Sequence, residues 1–238
     1  MQTEYYDKNK HREVIEDFLR FLNSQSQDYV LKGGTALMLC YKLDRFSEDV
    51  DLDGRNYGIE QFINSFCEEK GFTYRVAKDT AIVKRFFIHY GSLKPLKIEI
   101  SYRQMNLDKE SRTTQINGIK VYNIDEMMNL KLGAYNGRDR IRDLYDIVFI
   151  YKNYKESLSE NTILSLANSL SEKGFAHFDY ITQTQKDDLI DTDRLANDFL
   201  DTFDSLGLLV DKDDISILKE SGVKISNLKK RKTYEFER

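Results

Sequence analysis

Apolar residues first recur at helical spacing in HREVIEDFLRFLNSQ, where Val14, Ile15, Phe18, Leu19 and Leu22 fall on one stripe. A surface helix is therefore expected to open the fold. DYVLKGG then reads as a short strand ending in a turn, and TALMLCYKL as a buried helix whose first turn follows the glycines. EDVDLDG alternates strictly, with Val50 and Leu52 on one face and Asp49, Asp51 and Asp53 on the other. IEQFINSFCEEKGF predicts an amphipathic helix ending near Gly71. FTYRV, AIVKRFFIHYG and LKIEISYR follow as strands between polar turns, and TQINGIKVYN as a hairpin around Asn117-Gly118.

From Ile124 onward the period changes. IDEMMNLKLGAYNG, RIRDLYDIVFIYKNY, ESLSENTILSLANSLSEKG, DTDRLANDFLDTFDSLG and DDISILKESG all read as helices. The expected fold class is α+β. A mixed sheet flanked by helices is expected over residues 1–122, and a helical C-terminal part over residues 123–238.

Composition narrows the picture. The chain has 238 residues, 40% of them hydrophobic, enough to bury a core. A net charge of −4 gives no overall basic field, although 36 Lys and Arg leave room for local patches such as KRFF and LKKRK. Two cysteines, Cys40 and Cys67, are too few and too far apart for a zinc knuckle or a disulfide framework, and read as reduced thiols. No signal-like or membrane-spanning apolar run occurs, so no membrane partner is expected and the expected compartment is the cytoplasm.

The aspartate strand changes the picture most. A half-buried strand with a solvated outer face would be the bland explanation, but three like charges on one face repel, and aspartate is a poor strand former. A divalent cation removes the conflict, because hard carboxylate oxygens bind it. Magnesium fits best, since it takes one or two protein carboxylates and leaves positions for water and phosphates. Asp49 and Asp51 point the same way and can share metal; Asp53 is either further along that face or already in the turn before Gly54, and ranks below them. LKGGT supplies a complementary part. Gly33 and Gly34 allow close approach of the backbone to a ligand, and the helix start near Thr35 offers unpaired N–H groups to an anion.

The run from Gly33 to Leu52, with GGTAL and then Arg45, Ser47, Asp49 and Asp51 as R-x-S-x-D-x-D-L, resembles the AbiEii/AbiGii toxin family of nucleotidyltransferases. These belong to the superfamily with the DNA polymerase β-like fold. LKIEIS places Glu99 opposite in facing to Ile98 and Ile100, where the superfamily often carries a third carboxylate, more commonly Asp. NLKLGAYNGRDRIRDLYDI resembles the family's later motif, matching Lys131 to its lysine and Arg142, Asp143 and Asp146 to R-D-x-x-D.

The resemblance implies transfer of a nucleoside monophosphate from an NTP to an acceptor hydroxyl. It implies Asp49, Asp51 and Glu99 as ligands of two magnesium ions, with manganese as a substitute. Catalytic roles are implied for those three residues and Lys131. Nucleotide contacts are implied for Gly33, Gly34, Thr35, Arg45, Ser47, Lys131, Arg142 and Asp146, with the helical half completing the cleft. It further implies a toxin of a toxin–antitoxin or phage-defence (abortive infection) pair, with a cognate antitoxin as partner and RNA, such as the 3′ end of tRNA, as acceptor. Two other readings stay open: a small-molecule or protein acceptor, and a catalytically silent relative that binds nucleotide.

Overall fold

Seven strands and seven α-helices make up the computed structural model, which describes residues 6–103 and 110–208. The chain divides into two compact units, Met1–Met127 and Met128–Arg238. The expected helix DDISILKESG and the basic LKKRK segment both lie outside the described residues.

In the first unit, β1 (Tyr29–Lys32), β2 (Val50–Gly54), β3 (Thr73–Asp79), β4 (Val83–His89), β5 (Leu96–Ser101), β6 (Thr113–Ile116) and β7 (Ile119–Tyr122) form one sheet. Its order is β3-β4-β5-β2-β1-β7-β6. The pairs β2–β5 and β1–β7 are parallel and the others antiparallel, so the sheet is mixed and the fold α+β. Alternation along the strands sends Val50, Leu52, Phe86, Ile88, Leu96, Ile98 and Ile100 into the core. The opposite face of the same strands carries Asp51, Glu99 and Arg85 in one row: Asp51 stands beside Glu99, and Glu99 beside Arg85.

Helix α1 (Lys8–Gln25) starts one turn earlier than its apolar stripe predicts, because the Asp7 side chain caps it by accepting from the amides of Asn9 and Lys10. It buries Val14, Ile15, Phe18, Leu19 and Leu22 against α3, β5 and β7. Each such side chain contributes about 1.5–3 kcal/mol on leaving water. Helix α2 (Gly33–Cys40) packs on β1, β2 and β7. Helix α3 (Ile59–Lys70) stops where Gly71 takes the left-handed conformation that ends helices cheaply only in glycine. Phe66 of α3 meets Phe18 of α1 edge-on, ring centroids 5.4 Å apart. Asn117 and Gly118 both have positive φ, the requirement of the tight turn between β6 and β7.

Helix α4 (Ile124–Gly137) carries the chain onward to α5 (Ile141–Tyr154), α6 (Glu160–Thr184) and α7 (Thr192–Ser205). Within the second unit, Asn129 and Asn136 of α4 bond Thr162 and Ser169 of α6, at 3.1 and 3.0 Å. The pattern places a helix end at Gly174; the structure instead continues helically to Thr184 across a single non-helical residue, Gly174 (φ 61, ψ −170). Burial overrides the glycine: Phe175, Phe178 and Ile181 are all covered, and Phe178 stacks on Phe199 of α7 at 4.5 Å.

Among the described residues no helix is long and apolar enough to cross a membrane. Both cysteines are free thiols. Burial pushes Cys40 up to about 12 and Cys67 up to about 11, so neither is a ready nucleophile.

Candidate active site

The turn from β1 into α2 is built for close approach. Gly33 has φ +78, and a Cβ there would lie 3.0 Å from Oδ2 of Asp51. The carboxylate of Asp51 thus rests against the glycine backbone. A Cβ on Gly34 would come within 2.8 Å of the Ser47 hydroxyl and 2.9 Å of Nη2 of Arg45. Lys32, at the N-cap of α2, supplies no side-chain cap to the helix amides. The buried Arg45 guanidinium therefore packs where the α2 macrodipole is already positive. Two positive ends placed together favour an anion between or beside them, which is the chemistry of a phosphate site. Gly33, Gly34, Arg45, Ser47 and Asp51 come together around the turn from β1 into α2.

Asp49 precedes β2, and its position is fixed through its backbone. The Thr35 hydroxyl donates to the Asp49 carbonyl at 2.5 Å and stands 3.0 Å from the Ser47 hydroxyl. Thr35 is buried with that single proton already committed, so it holds Asp49 in place and does not face outward as a phosphate donor. The preceding residue is held as well. His11 of α1 donates from Nε2 to the Glu48 carbonyl (2.8 Å), which assigns Nδ1 as the acceptor of the Tyr90 hydroxyl at 2.5 Å. Lys94 and Tyr6 bind the Glu48 carboxylate. Sequence reasoning missed His11, because it borders the apolar stripe of α1 and reads there as an ordinary surface polar residue.

The carboxylates are in electrostatic conflict. Burial raises the pKa of Asp51, and the charges of Asp49 and Glu99 raise it further, against a lowering by Lys97 and Lys32. Lys97 reaches from β5 to Asp49 (2.7 Å), and Arg85 from β4 to Glu99 (2.6 Å). Asp51 has no ion-pair partner among the described residues. With the carboxylates turned to Lys97 and Arg85, no three His, Cys, Asp or Glu side chains among the described residues stand grouped around one metal position. The donor set nonetheless fits a hard divalent cation: oxygen-only ligands from adjacent strands, one of them desolvated and charge-stressed.

Asp53 behaves differently, although alternation puts it on the same face. It is buried, paired with Lys32 at 2.6 Å and accepting from the Tyr122 hydroxyl at 2.8 Å. It is a satisfied structural carboxylate inside the sheet.

In the second unit Lys131 of α4 is buried, with Nζ 2.5 Å from Asp146 and 3.8 Å from Asp143 of α5. Asp146 and Asp143 are themselves buried, and Arg138 forks onto Asp143 through two bonds of 2.7 and 3.1 Å. A solvated helix lysine is therefore excluded. Arg142 reaches Asp187, which lies outside the motif.

The family described as Nucleotidyl transferase AbiEii toxin, Type IV TA system, matches residues 18–216. JHP933 from Helicobacter pylori is similar in structure, with TM-score 0.71 and 26% identity, covering 92% of this chain and 97% of that one. A candidate nucleotidyltransferase from H. pylori has TM-score 0.69 and 26% identity over 84% of this chain and 96% of its own. MenT4, a nucleotidyltransferase toxin from Mycobacterium tuberculosis, shares the fold at TM-score 0.54 and 18% identity, covering 91% of this chain and 89% of that one. No protein of curated function matches by sequence. With a match over most of its length, the chain belongs to the AbiEii family of nucleotidyl transferase toxins of type IV toxin–antitoxin systems.

Proposed function

We propose that the protein transfers a nucleoside monophosphate from an NTP to a hydroxyl at an RNA end, such as the 3′ end of tRNA, in a divalent-metal-dependent reaction. The observation that carries this reading is the contact of Asp51 with the Gly33 backbone, which puts a charge-stressed carboxylate beside a phosphate-accepting helix start. Asp49 and Asp51 would hold magnesium, or manganese in its place, with Glu99 completing the site. When bound, such ions screen the triphosphate and lower the barrier to in-line displacement.

The protein's own groups supply the rest. The Gly33–Gly34 backbone, Arg45 and Ser47 bind the β and γ phosphates, and Thr35 acts by holding Asp49. The acceptor oxygen bonds to the α-phosphorus as the α–β bridging P–O bond breaks, and the electron pair leaves with pyrophosphate. The acceptor's proton passes to the Glu99 carboxylate. Lys131 is a further NTP contact, Asp146 braces it, and Arg142 supports the same motif.

Modification of an essential RNA end would arrest growth, as befits the toxin of a phage-defence (abortive infection) pair neutralised by a cognate antitoxin. Incubation with each labelled NTP, magnesium and total cell extract tests the reading. Label is expected on RNA. Label on protein or small molecules would replace the acceptor, and label on nothing would overturn the catalytic reading.

A further inference from the structure

Two of the three proposed ligand carboxylates already carry a basic side chain. Lys97 Nζ lies 2.7 Å from Oδ2 of Asp49, and both Nε (2.7 Å) and Nη2 (2.6 Å) of Arg85 reach Oε2 of Glu99. Both cations project from strands next to the ligands. Arg85 is directly opposite Glu99 in the β4–β5 pair, and Lys97 lies two residues before Glu99 on β5. These pairs are poor candidates for fold stabilisation. Side-chain exposure is 27% and 42% in the Lys97–Asp49 pair and 38% and 28% in the Arg85–Glu99 pair. Pairs this open to water contribute little to folding. Each does occupy one oxygen of a proposed ligand, Oδ2 of Asp49 and Oε2 of Glu99, while the deeper Asp51 keeps no ion-pair partner among the described residues.

We infer that Lys97 and Arg85 are resident counter-cations that make metal and nucleotide bind together. Without nucleotide they compete with the divalent ion for Asp49 and Glu99. When the ion enters, both are displaced and stand at the rim of the site as surplus positive charge, where triphosphate oxygens take them over. A triphosphate therefore removes the competitors of the metal, and by linkage the metal strengthens triphosphate binding by the same factor. Bare metal binds weakly, and the metal-nucleotide complex binds well. This inference rests on the reading of Asp49, Asp51 and Glu99 as a metal site.

The test measures manganese affinity of the full chain by electron paramagnetic resonance of the free ion. It is run without nucleotide and then with α,β-methylene analogues of the four NTPs in turn. Wild type is compared with Lys97→Met, Arg85→Met, the double variant and Lys84→Met. Lys84 is a suitable control because it pairs with Asp79 and leaves the site carboxylates untouched. The expected result is tighter manganese binding by the double variant without nucleotide, by about tenfold, and a matching loss of the enhancement given by the analogue. Unchanged or weaker nucleotide-free affinity in the double variant would overturn the inference and leave the metal site standing, provided wild type binds manganese with analogue. Absence of manganese binding by every protein, with or without analogue, would take down the metal site and this inference together.

Discussion

Lys131 on α4 and Asp146 on α5 face each other at 2.5 Å, both buried, with Asp143 at 3.8 Å as a second carboxylate. A charge pair out of water is costly to break one-sidedly, because the survivor stays desolvated. Asp146→Ala should cost about 3–5 kcal/mol of stability. Arg142→Ala, which removes a half-exposed partner of the mostly buried Asp187, should cost less than that. Urea midpoints with a common m-value decide the matter. Equal losses in the two variants would show that burial of the Lys131 pair is not energetically special.

Asp51 carries an unfavourable charge in the metal-free protein. Its folded pKa lies above the usual aspartate value, chiefly through desolvation and then through the nearby charges of Asp49 and Glu99. A raised folded pKa means that the protonated form is the favoured one, and stability is lost as pH rises through that pKa. At neutral pH the ionised group is therefore a burden. Asp51→Asn should raise the thermal midpoint of the metal-free protein by roughly 2–4 °C, the shift expected of about 1 kcal/mol in a chain of this size. The same substitution should abolish nucleotide transfer. Added magnesium should stabilise wild type and leave the variant unmoved; a variant that melts lower than wild type without metal would contradict the charge-conflict argument.

Asp53 provides the opposite case on the same strand. Lys32 and the Tyr122 hydroxyl both serve its carboxylate. Asp53→Ala should destabilise the fold by about 3 kcal/mol or more by stranding Lys32 beside an unfilled site. Asp53→Asn keeps the shape and one acceptor, and should retain transfer activity per folded molecule. Loss of activity in a folded Asp53→Asn protein would place Asp53 among the ligands.

These aspartates show how far the sequence could be read. The alternation of Val50 and Leu52 with Asp49, Asp51 and Asp53 revealed the strand and its polar face, because side chains on a strand have a period of two. Alternation could not separate Asp51 from Asp53, since the difference lies across β1, where Lys32 and Tyr122 reach only the latter. Glu99 could be placed on a face of β5, yet its row with Asp51 comes from parallel pairing of strands nearly fifty residues apart. Arg85 and Lys97 acquire meaning only through that register. The β6–β7 hairpin was legible because Asn117-Gly118 is a local steric signal. Gly174 misled for a related reason: a local stop signal was overruled by the distant packing of Phe175 and Phe178 on α7.

His11 gives the fold a pH dependence on the acid side. It is buried with both ring nitrogens in use, and burial holds its pKa below the usual 6.5. The unfolded chain therefore takes up a proton that the folded one refuses. Its contribution to stability is complete above the unfolded value and is lost as pH falls below about 6.5, with a slope of at most about 1.4 kcal/mol per pH unit. Stability measured by urea unfolding should fall between neutral pH and the folded pKa of His11. His11→Gln, which can still donate to the Glu48 carbonyl, should flatten that part of the profile; an unchanged profile would remove His11 as its source.

Gly34 tests the phosphate side of the site without touching a charge. A methyl group there would meet the Ser47 hydroxyl at 2.8 Å and Nη2 of Arg45 at 2.9 Å, both closer than real side chains tolerate. Arg45 is buried, so its guanidinium has little room to retreat, and the displacement falls on the groups proposed to hold the triphosphate. Gly34→Ala should weaken NTP binding by about tenfold, equivalent to about 1.4 kcal/mol. Overpacking should also cost about 1–3 kcal/mol of stability. Gly133 is the control, since a Cβ added to it meets nothing within 4 Å and it lies inside α4. Gly133→Ala should stabilise the fold by about 0.8–1.0 kcal/mol through helix propensity and leave NTP affinity as it is. Calorimetric titration of the two variants with NTP separates the effects. If Gly34→Ala bound NTP as wild type does, the triphosphate would have to lie elsewhere than against the first turn of α2.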